Sequence, residues 1–377
     1  MQLKEEHILI QETARRFAAD YLTPNAAIWD RDSHFPLKEI KEMGKLGLMG
    51  ILVPETYGGA GADFISYVLA LNEIAGGDGG TSVTMAVQAV TETCIMSYGS
   101  EKQKSEYLPK LSKAQFLGAF MLSEPHAGSE AGAILCRAEK KGDDYILNGT
   151  KQFITSGSNA DIALTFAQTD PEKGSRGISA FIVPTKSPGY EIARIESKLG
   201  QKSNDTAQIV LKDLRIGPEM LIGQEGEGYK IALSNLESGR IGIAAQSVGF
   251  AQAAFKASKS YARDRQTFGK RIIDHQAIAF RLADMATEIE ASWLMTLNAA
   301  RLKVEGRPCL KEASMAKLFA SEMAERVCSG AIQIHGGYGY LSDFNVERHY
   351  RDARLCQIYE GTSEIQRLLI ARTLQDE

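Results

Sequence analysis

Ala163-Leu-Thr-Phe-Ala167, Ile178-Ser-Ala-Phe-Ile-Val183 and Ala207-Gln-Ile-Val-Leu211 are the runs whose reading decides the fold. They are short and rich in β-branched and aromatic residues. Turn residues separate them, and their neighbour Tyr145-Ile-Leu147, at Lys141-Gly-Asp-Asp144, Asn148-Gly149, Asp170-Pro171 and Ser187-Pro188-Gly189. The pattern predicts a compact antiparallel β domain, a sandwich or a barrel, over 118–226. On both sides the period changes. In 1–117 apolar residues recur at helical spacing, as in Leu37, Ile40, Met43 and Leu46, or Tyr67, Leu71 and Ile74. In 227–377 the helical period marks segments at about 229–263, 273–305, 311–333 and from Ser363 onward. The predicted architecture is therefore multi-domain α and β: an N-terminal all-α domain, a middle β domain and a C-terminal four-helix bundle. Ligands favour the crevice where such domains meet.

Composition narrows the function. The chain has 377 residues, 44% hydrophobic and 24% charged, with a net charge of -4. Nucleic-acid binding calls for a clustered basic excess, and no such cluster is present. The longest charge-free stretches, Ile241 to Phe255 and Val327 to Ser342, are too short and too rich in Gly, Gln and Ser to span a bilayer. Helical periodicity begins at Ile8 and Leu9, leaving no room for a signal or transit peptide, so a cytoplasmic location is expected. Cys94, Cys136, Cys309, Cys328 and Cys356 are scattered and form no C-x-x-C, which indicates neither a disulfide frame nor a metal site. The glycine groups at Tyr57-Gly-Gly-Ala-Gly61 and Gly76-Gly-Asp-Gly-Gly80 do not follow a strand in G-x-G-x-x-G or P-loop order, and read as turns. Any nucleotide cofactor must be bound in another way.

Five segments have compositions that core packing alone explains poorly. Gln357-Ile-Tyr-Glu-Gly-Thr-Ser-Glu-Ile-Gln-Arg367 sets the carboxylate of Glu360 between an aromatic and a glycine, just before a helix that Ile365, Leu368, Leu369 and Ile370 continue. Thr362 or Ser363 can cap that helix, and Ser363 with Gln366 has capping-box spacing. Phe120-Met-Leu-Ser-Glu-Pro-His-Ala-Gly-Ser129 is an ordinary strand-to-turn passage or a set of hydroxyl and backbone donors for a flat ring or a phosphate. Lys151-Gln-Phe-Ile-Thr-Ser-Gly157 is a strand ending in hydroxyl residues. Arg263-Asp-Arg-Gln-Thr-Phe-Gly-Lys270 reads as a helix end capped by Gly269, or as a phosphate clamp. In Gln333-Ile-His-Gly-Gly-Tyr-Gly-Tyr340, three glycines interrupt a helix at a loss of roughly 1 kcal/mol each. Close approach of a ligand to the backbone would account for them. His335 is either a base or a packed side chain.

As a set, these motifs resemble the acyl-CoA dehydrogenase family of flavoenzymes, particularly its short-chain, butyryl-type members, over the whole chain and in order. The resemblance rests on Leu-Ser-Glu-Pro-His-Ala-Gly-Ser at 122–129, Phe-Ile-Thr at 153–155, Arg-x-x-Phe-Gly at 265–269, Gln-Ile-His-Gly-Gly at 333–337 and Ile-Tyr-Glu-Gly-Thr-Ser at 358–363. It implies FAD, with the ring along Phe120, Leu122, Ser123 and Ser129 and against Phe153, Ile154 and Thr155. Phe153 stands where some members have tryptophan. Arg265, Phe268, Gln276, Gln333, Gly336 and Gly337 would hold the pyrophosphate and adenosine of FAD bound mainly by a neighbouring subunit, which implies an oligomer, usually a tetramer. Thr362 and Glu364 fall where the family also touches FAD, with Glu364 in place of a common Gln. Ser129, Glu237, Arg240, Tyr359 and Gly361 would face the acyl-CoA, with Glu237 in place of a common Asp.

The resemblance further implies that Glu360 is the base for α-proton abstraction and that the product is a trans-2-enoyl-CoA, with electrons passed to an electron-transfer flavoprotein. Some branches of the family take the base from a Glu immediately before the arginine corresponding to Arg240; here that position is Gly239. An oxidase or monooxygenase on the same fold, or a non-catalytic flavin-binding homologue, are the alternatives.

Overall fold

The computed structural model describes residues 2–376; Met1 and Glu377, the outer ends of the first and last expected domains, lie outside them. Six helices come first: α1 (Glu5–Phe17), α2 (Ala26–Asp32), α3 (Leu37–Lys45), α4 (Phe64–Gly77), α5 (Gly79–Tyr98) and α6 (Glu101–Ser112). Between α4 and α5 only Asp78 is non-helical, and its carboxylate caps α5 by accepting from the Thr81 N–H at 2.8 Å, so the glycines expected to form a turn here are instead the adjoining ends of two helices. Both α4 and α5 are buried on nearly every side, which is why their apolar residues run almost continuously.

Eight strands follow: β1 (Gly118–Met121), β2 (Arg137–Lys141), β3 (Asp144–Thr155), β4 (Ile162–Gln168), β5 (Ile178–Pro184), β6 (Tyr190–Ile195), β7 (Thr206–Ile216) and β8 (Leu221–Ile222). They form one sheet in the order β6-β7-β3-β2-β4-β5-β8, with β1 paired to β4. Most ladders are antiparallel, but β1 runs parallel to β4 and β2 meets β4 in parallel at Arg137 and Gln168. The sheet is thus mixed where the turn pattern reads as purely antiparallel, because β1 enters from α6 rather than through a hairpin. The β3–β7 ladder carries an irregularity between Lys151 and Ile154. That bulge breaks the side-chain alternation and turns Phe153 out of the sheet, at φ 60° and 65% exposure.

The chain closes with α7 (Gly228–Asp264), the two-stranded ribbon β9 (Gln266–Thr267) and β10 (Lys270–Arg271), then α8 (Gln276–Val304), α9 (Leu310–His335), α10 (Val346–Arg354) and α11 (Ser363–Asp376). Helices from both ends of the chain share one core, in which α4 lies against α7. A Cβ at Gly249 would come within 2.3 Å of the Asn72 carbonyl oxygen, so that glycine sets how closely the two helices approach. Hydrophobicity does not reveal α10. Its buried face carries Arg348, His349 and Asp352 alongside only Val346 and Ala353. Gly269 is not a helix cap: α7 already ends at Asp264, and Phe268 (φ 49°) with Gly269 (φ 75°) forms the two-residue turn of the β9–β10 ribbon. Among the described residues no helix is long and apolar enough to cross a membrane.

Candidate active site

A cavity of about 730 Å³ lies between the sheet and the helices. Its sheet wall is made by Phe120, Leu122, Ser123, Phe153, Ile154 and Thr155, with Ser129 from the loop after β1. Opposite stand Leu233, Leu236 and Arg240 of α7 and the segment Tyr359, Glu360 and Gly361 leading into α11. Thus residues more than 200 positions apart in sequence converge here.

The sheet wall is held by a buried ion pair that the sequence reading did not single out. Lys151 is fully buried, and its Nζ donates to Glu124 Oε1 at 2.8 Å and to the Leu122 carbonyl at 3.2 Å. The Glu124 carboxylate also accepts from the Leu135 and Cys136 N–H groups at 2.7 and 3.0 Å. Buried charges persist when paired and hydrogen-bonded in this way. The pair fixes the loop 122–136 against the strand that presents Phe153. Both residues lie inside quoted motifs, but a sequence gives no sign that a loop Glu and a strand Lys share one buried site.

Glu360 adopts φ 56° and Gly361 φ 92°, so the chain passes through two left-handed residues before α11. Thr362 supplies the cap, its Oγ1 accepting from the Ile365 N–H at 3.4 Å. The expected Ser363–Gln366 capping box does not form. Ser363 Oγ is buried without a partner, and Gln366 Nε2 turns back to the Gly361 and Glu360 carbonyls at 2.8 and 3.3 Å. Among the described residues the Glu360 N–H has no backbone acceptor.

The Glu360 carboxylate is aimed at α7. A Cβ built on Gly239 would lie 2.6 Å from Glu360 Oε2, so the carboxylate occupies the space that a side chain at 239 would need. Oε2 is itself buried and without a hydrogen-bond partner. Burial pushes the Glu360 carboxyl above the ordinary carboxylate range, and the positive charges of Arg240 and Lys317 offset part of that rise. Arg240 is buried, with an unpartnered Nε, and the nearby charge of Glu360 helps to retain its proton. Tyr359 lines the cavity, but its hydroxyl is committed elsewhere: it donates to Gln246 Oε1, and Gln246 Nε2 donates to Ser82 Oγ at 2.6 Å.

Not every expected site residue converges. Glu237 is drawn away from the cavity, its carboxylate accepting from Lys303 Nζ at 3.2 Å and from Cys309 Sγ at 3.4 Å. Thr362 and Glu364 lie at the start of α11 outside the cavity lining, Glu364 being exposed. Arg265, Gly336 and Gly337 line a separate cavity of about 390 Å³, where the Arg265 guanidinium sits 5.6 Å over the Tyr338 ring. Phe268 and Gln276 are exposed nearby in sequence but do not line it, and Gln333 lines a third cavity, on the faces of α8 and α9. His335 is a packed residue: it is buried, stacks on Tyr261 at 4.3 Å, and its Nδ1 lies 2.8 Å from the Ala331 carbonyl. Arg372 of α11 also lines the large cavity, although its sequence context is that of a solvated helix cation.

Comparison with known proteins agrees with this arrangement. Residues 4–115, 119–214 and 226–375 match the N-terminal, middle and C-terminal domains of acyl-CoA dehydrogenase respectively. An acyl-CoA dehydrogenase of Bacillus subtilis is 47% identical over 99% of both chains. The structure of butyryl-CoA dehydrogenase from Megasphaera elsdenii superposes with a TM-score of 0.98 at 39% identity, covering 100% of this chain and 99% of that one. A chain from the solved structure of the electron transferring flavoprotein of Acidaminococcus fermentans superposes with a TM-score of 0.99 at 43% identity over 100% of both chains. The chain belongs to the acyl-CoA dehydrogenase family.

Proposed function

We propose that this protein is an FAD-dependent enzyme that removes hydrogen from Cα and Cβ of a short-chain acyl-CoA, giving the trans-2-enoyl-CoA and passing the electrons to an electron-transfer flavoprotein. The observation that carries the reading is the Glu360 carboxylate, held at the cavity wall with one oxygen sealed and unpartnered. A carboxylate buried without a partner is costly in a merely structural role, and suits a base awaiting a substrate proton. The short-chain assignment and the acceptor are supported by the similarity to the butyryl-CoA dehydrogenase and to the flavoprotein-associated chain.

The residues present fit FAD. Phe153, turned out of the sheet by the bulge, offers an aromatic face beside Phe120, while Ser123 and Thr155 offer hydroxyls to the polar edge of a flat ring. Arg265 and the backbone at Gly336–Gly337 suit a pyrophosphate, and they line a different cavity of the same chain. We infer that they serve FAD bound in the large cavity of a second copy, so that the protein acts as an oligomer, in keeping with the 96% exposure of Phe268 and 86% of Tyr340. When bound, FAD supplies the acceptor for the hydride that leaves Cβ.

The chain's own part is proton removal and charge stabilisation. The Glu360 carboxylate takes the α-proton, and its raised pKa brings its basicity toward the working pH. Negative charge then develops on the thioester oxygen, and the unpaired Glu360 N–H is the donor that can meet it. Arg240 supplies positive charge beside the carboxylate, and apolar residues of α7 and α11 line the same cavity. The test is a purified protein carrying a flavin absorbance and turning over butyryl-CoA in a chain-length series with an artificial electron acceptor. Glu360→Gln is expected to keep the yellow colour and lose nearly all turnover; a colourless protein, or full activity in that variant, overturns the reading.

A further inference from the structure

Lys317 lies in the middle of α9 and is fully buried, yet its bonded partner is a carbonyl: Nζ donates to the Gly361 oxygen at 2.7 Å. Burying an ammonium against a neutral acceptor is unusual, because lysine is almost never wholly buried unless its charge is compensated. The same oxygen accepts from Gln366 Nε2 at 2.8 Å, so both of its lone pairs are engaged. Those two donors grip the loop where its backbone is strained. A non-glycine residue in the left-handed region costs on the order of 1 kcal/mol or more and persists only where its surroundings hold it. Here Glu360 is that residue, and the grip falls on the carbonyl of Gly361, the residue that follows it.

We propose that Lys317 is a positioning residue of the reaction: by clamping the Gly361 carbonyl from α9, its ammonium holds the Glu360 backbone N–H and carboxylate in register across the cavity. The inference rests on Glu360 being the base. Its charge has a second effect. The groups that act on the Glu360 carboxyl from the packed elements are Arg240 of α7 and Lys317 of α9, both favouring ionisation, while Tyr67 of α4, Cys94 of α5 and Tyr359 beside it all feel its negative charge. Lys317 in turn is lowered to about 8, chiefly by burial and in lesser part by Arg240, with Cys356, Glu360 and Glu364 acting in the opposite direction. The ammonium is therefore the main form at neutral pH and is lost as pH rises through about 8. Removing the charge leaves burial to act on Glu360 with Arg240 alone as the offset.

The test is the pH profile of kcat/KM for butyryl-CoA in the flavin-loaded enzyme, for the parent, Lys317→Met, Lys317→Gln, Lys317→Arg and Glu360→Gln. Lys317→Met is expected to lower kcat by about tenfold or more with little change in KM, and to move the acidic limb upward by about half a pH unit or more. Lys317→Gln, which keeps a donor but not the charge, is expected to recover part of kcat while leaving the limb displaced. Lys317→Arg is expected to bring the limb back toward the parent position. An inactive Glu360→Gln together with an unmoved limb and parent kcat in Lys317→Met overturns the clamp and leaves the base assignment standing. Activity in Glu360→Gln overturns the base assignment itself. Should the Met variant not fold, an unmoved limb in Lys317→Gln overturns the electrostatic effect and its unchanged kcat overturns the clamp.

Discussion

Gly239→Ala separates the fold from the chemistry more cleanly than a change at the base itself. The new Cβ would lie 2.6 Å from Glu360 Oε2 and 3.1 Å from Cδ, whereas ordinary contact begins at 3.4 Å. The α7 backbone is fixed by its packing on α4 and α9, but the Glu360 carboxylate is the free end of a flexible side chain, so the carboxylate is what moves. A retreat of roughly 0.8 Å follows, and displacements near 1 Å can lower a rate by about a hundredfold. Stability should go the other way, because Ala in a helix interior is favoured over Gly by about 1 kcal/mol. The expected result is a melting temperature at or above that of the parent, an unchanged flavin absorbance, and kcat for butyryl-CoA lower by about ten- to a hundredfold. Parent kcat in a variant with parent flavin content would refute the reasoning, since the carboxylate could not then be acting from against Gly239. A large fall in melting temperature would refute it from the other side, by showing that the carboxylate cannot yield.

Two further results are expected. Glu360 has a folded-state pKa above its ordinary value of 4.5, so the native state holds its proton after the unfolded chain has released it, and this residue's contribution to stability is fully present below pH 4.5 and lost as pH rises through the folded value. Glu360→Gln should therefore resist urea better than the parent at pH 8, with a difference that closes toward pH 4.5; equal stability at both pH values would contradict it. Lys151→Met leaves the Glu124 carboxylate buried without its ammonium partner and should cost about 3–5 kcal/mol in chemical denaturation with loss of flavin, whereas a change within about 0.5 kcal/mol would mean that the pair does not hold the loop.

The order of helices, strands and helices was legible because each region keeps one hydrophobic period over long stretches. What the period could not carry was lost. The buried face of α10 mixes Arg348, His349 and Asp352 with only Val346 and Ala353, so its apolar signal is weak, and Gly269 sits in a ribbon turn that a helix-end signal imitates. At the site, residues inside contiguous motifs were found: Phe120, Leu122, Phe153, Glu360 and Gly361 all meet at one cavity. Lys151, Glu124 and Lys317 escaped notice because each acts through a partner tens of residues away or through a backbone carbonyl, which leaves no local pattern, and Gln366 was read as a cap partner but bonds the Gly361 carbonyl instead. Glu237 turns away from the cavity for a related reason: helical spacing puts it near Arg240, but Lys303 of α8 and Cys309 just before α9 decide which way it turns.

The geometry at Gly239 also bears on where a carboxylate can stand at this site. A carboxylate on α7 at 239 and one in the loop at 360 would claim the same volume, since even the first carbon of a side chain at 239 falls within 2.6 Å of the Glu360 oxygen. Two carboxylates that close would also repel, so that one of them would have to stay protonated at neutral pH. Steric exclusion and like-charge repulsion therefore act together, and each position is open to a carboxylate only when the other is small. The pairing of Gly239 with Glu360 is thus one physical requirement expressed at two places 121 residues apart, and the strained loop held by Lys317 and Gln366 is what sets the acid against α7.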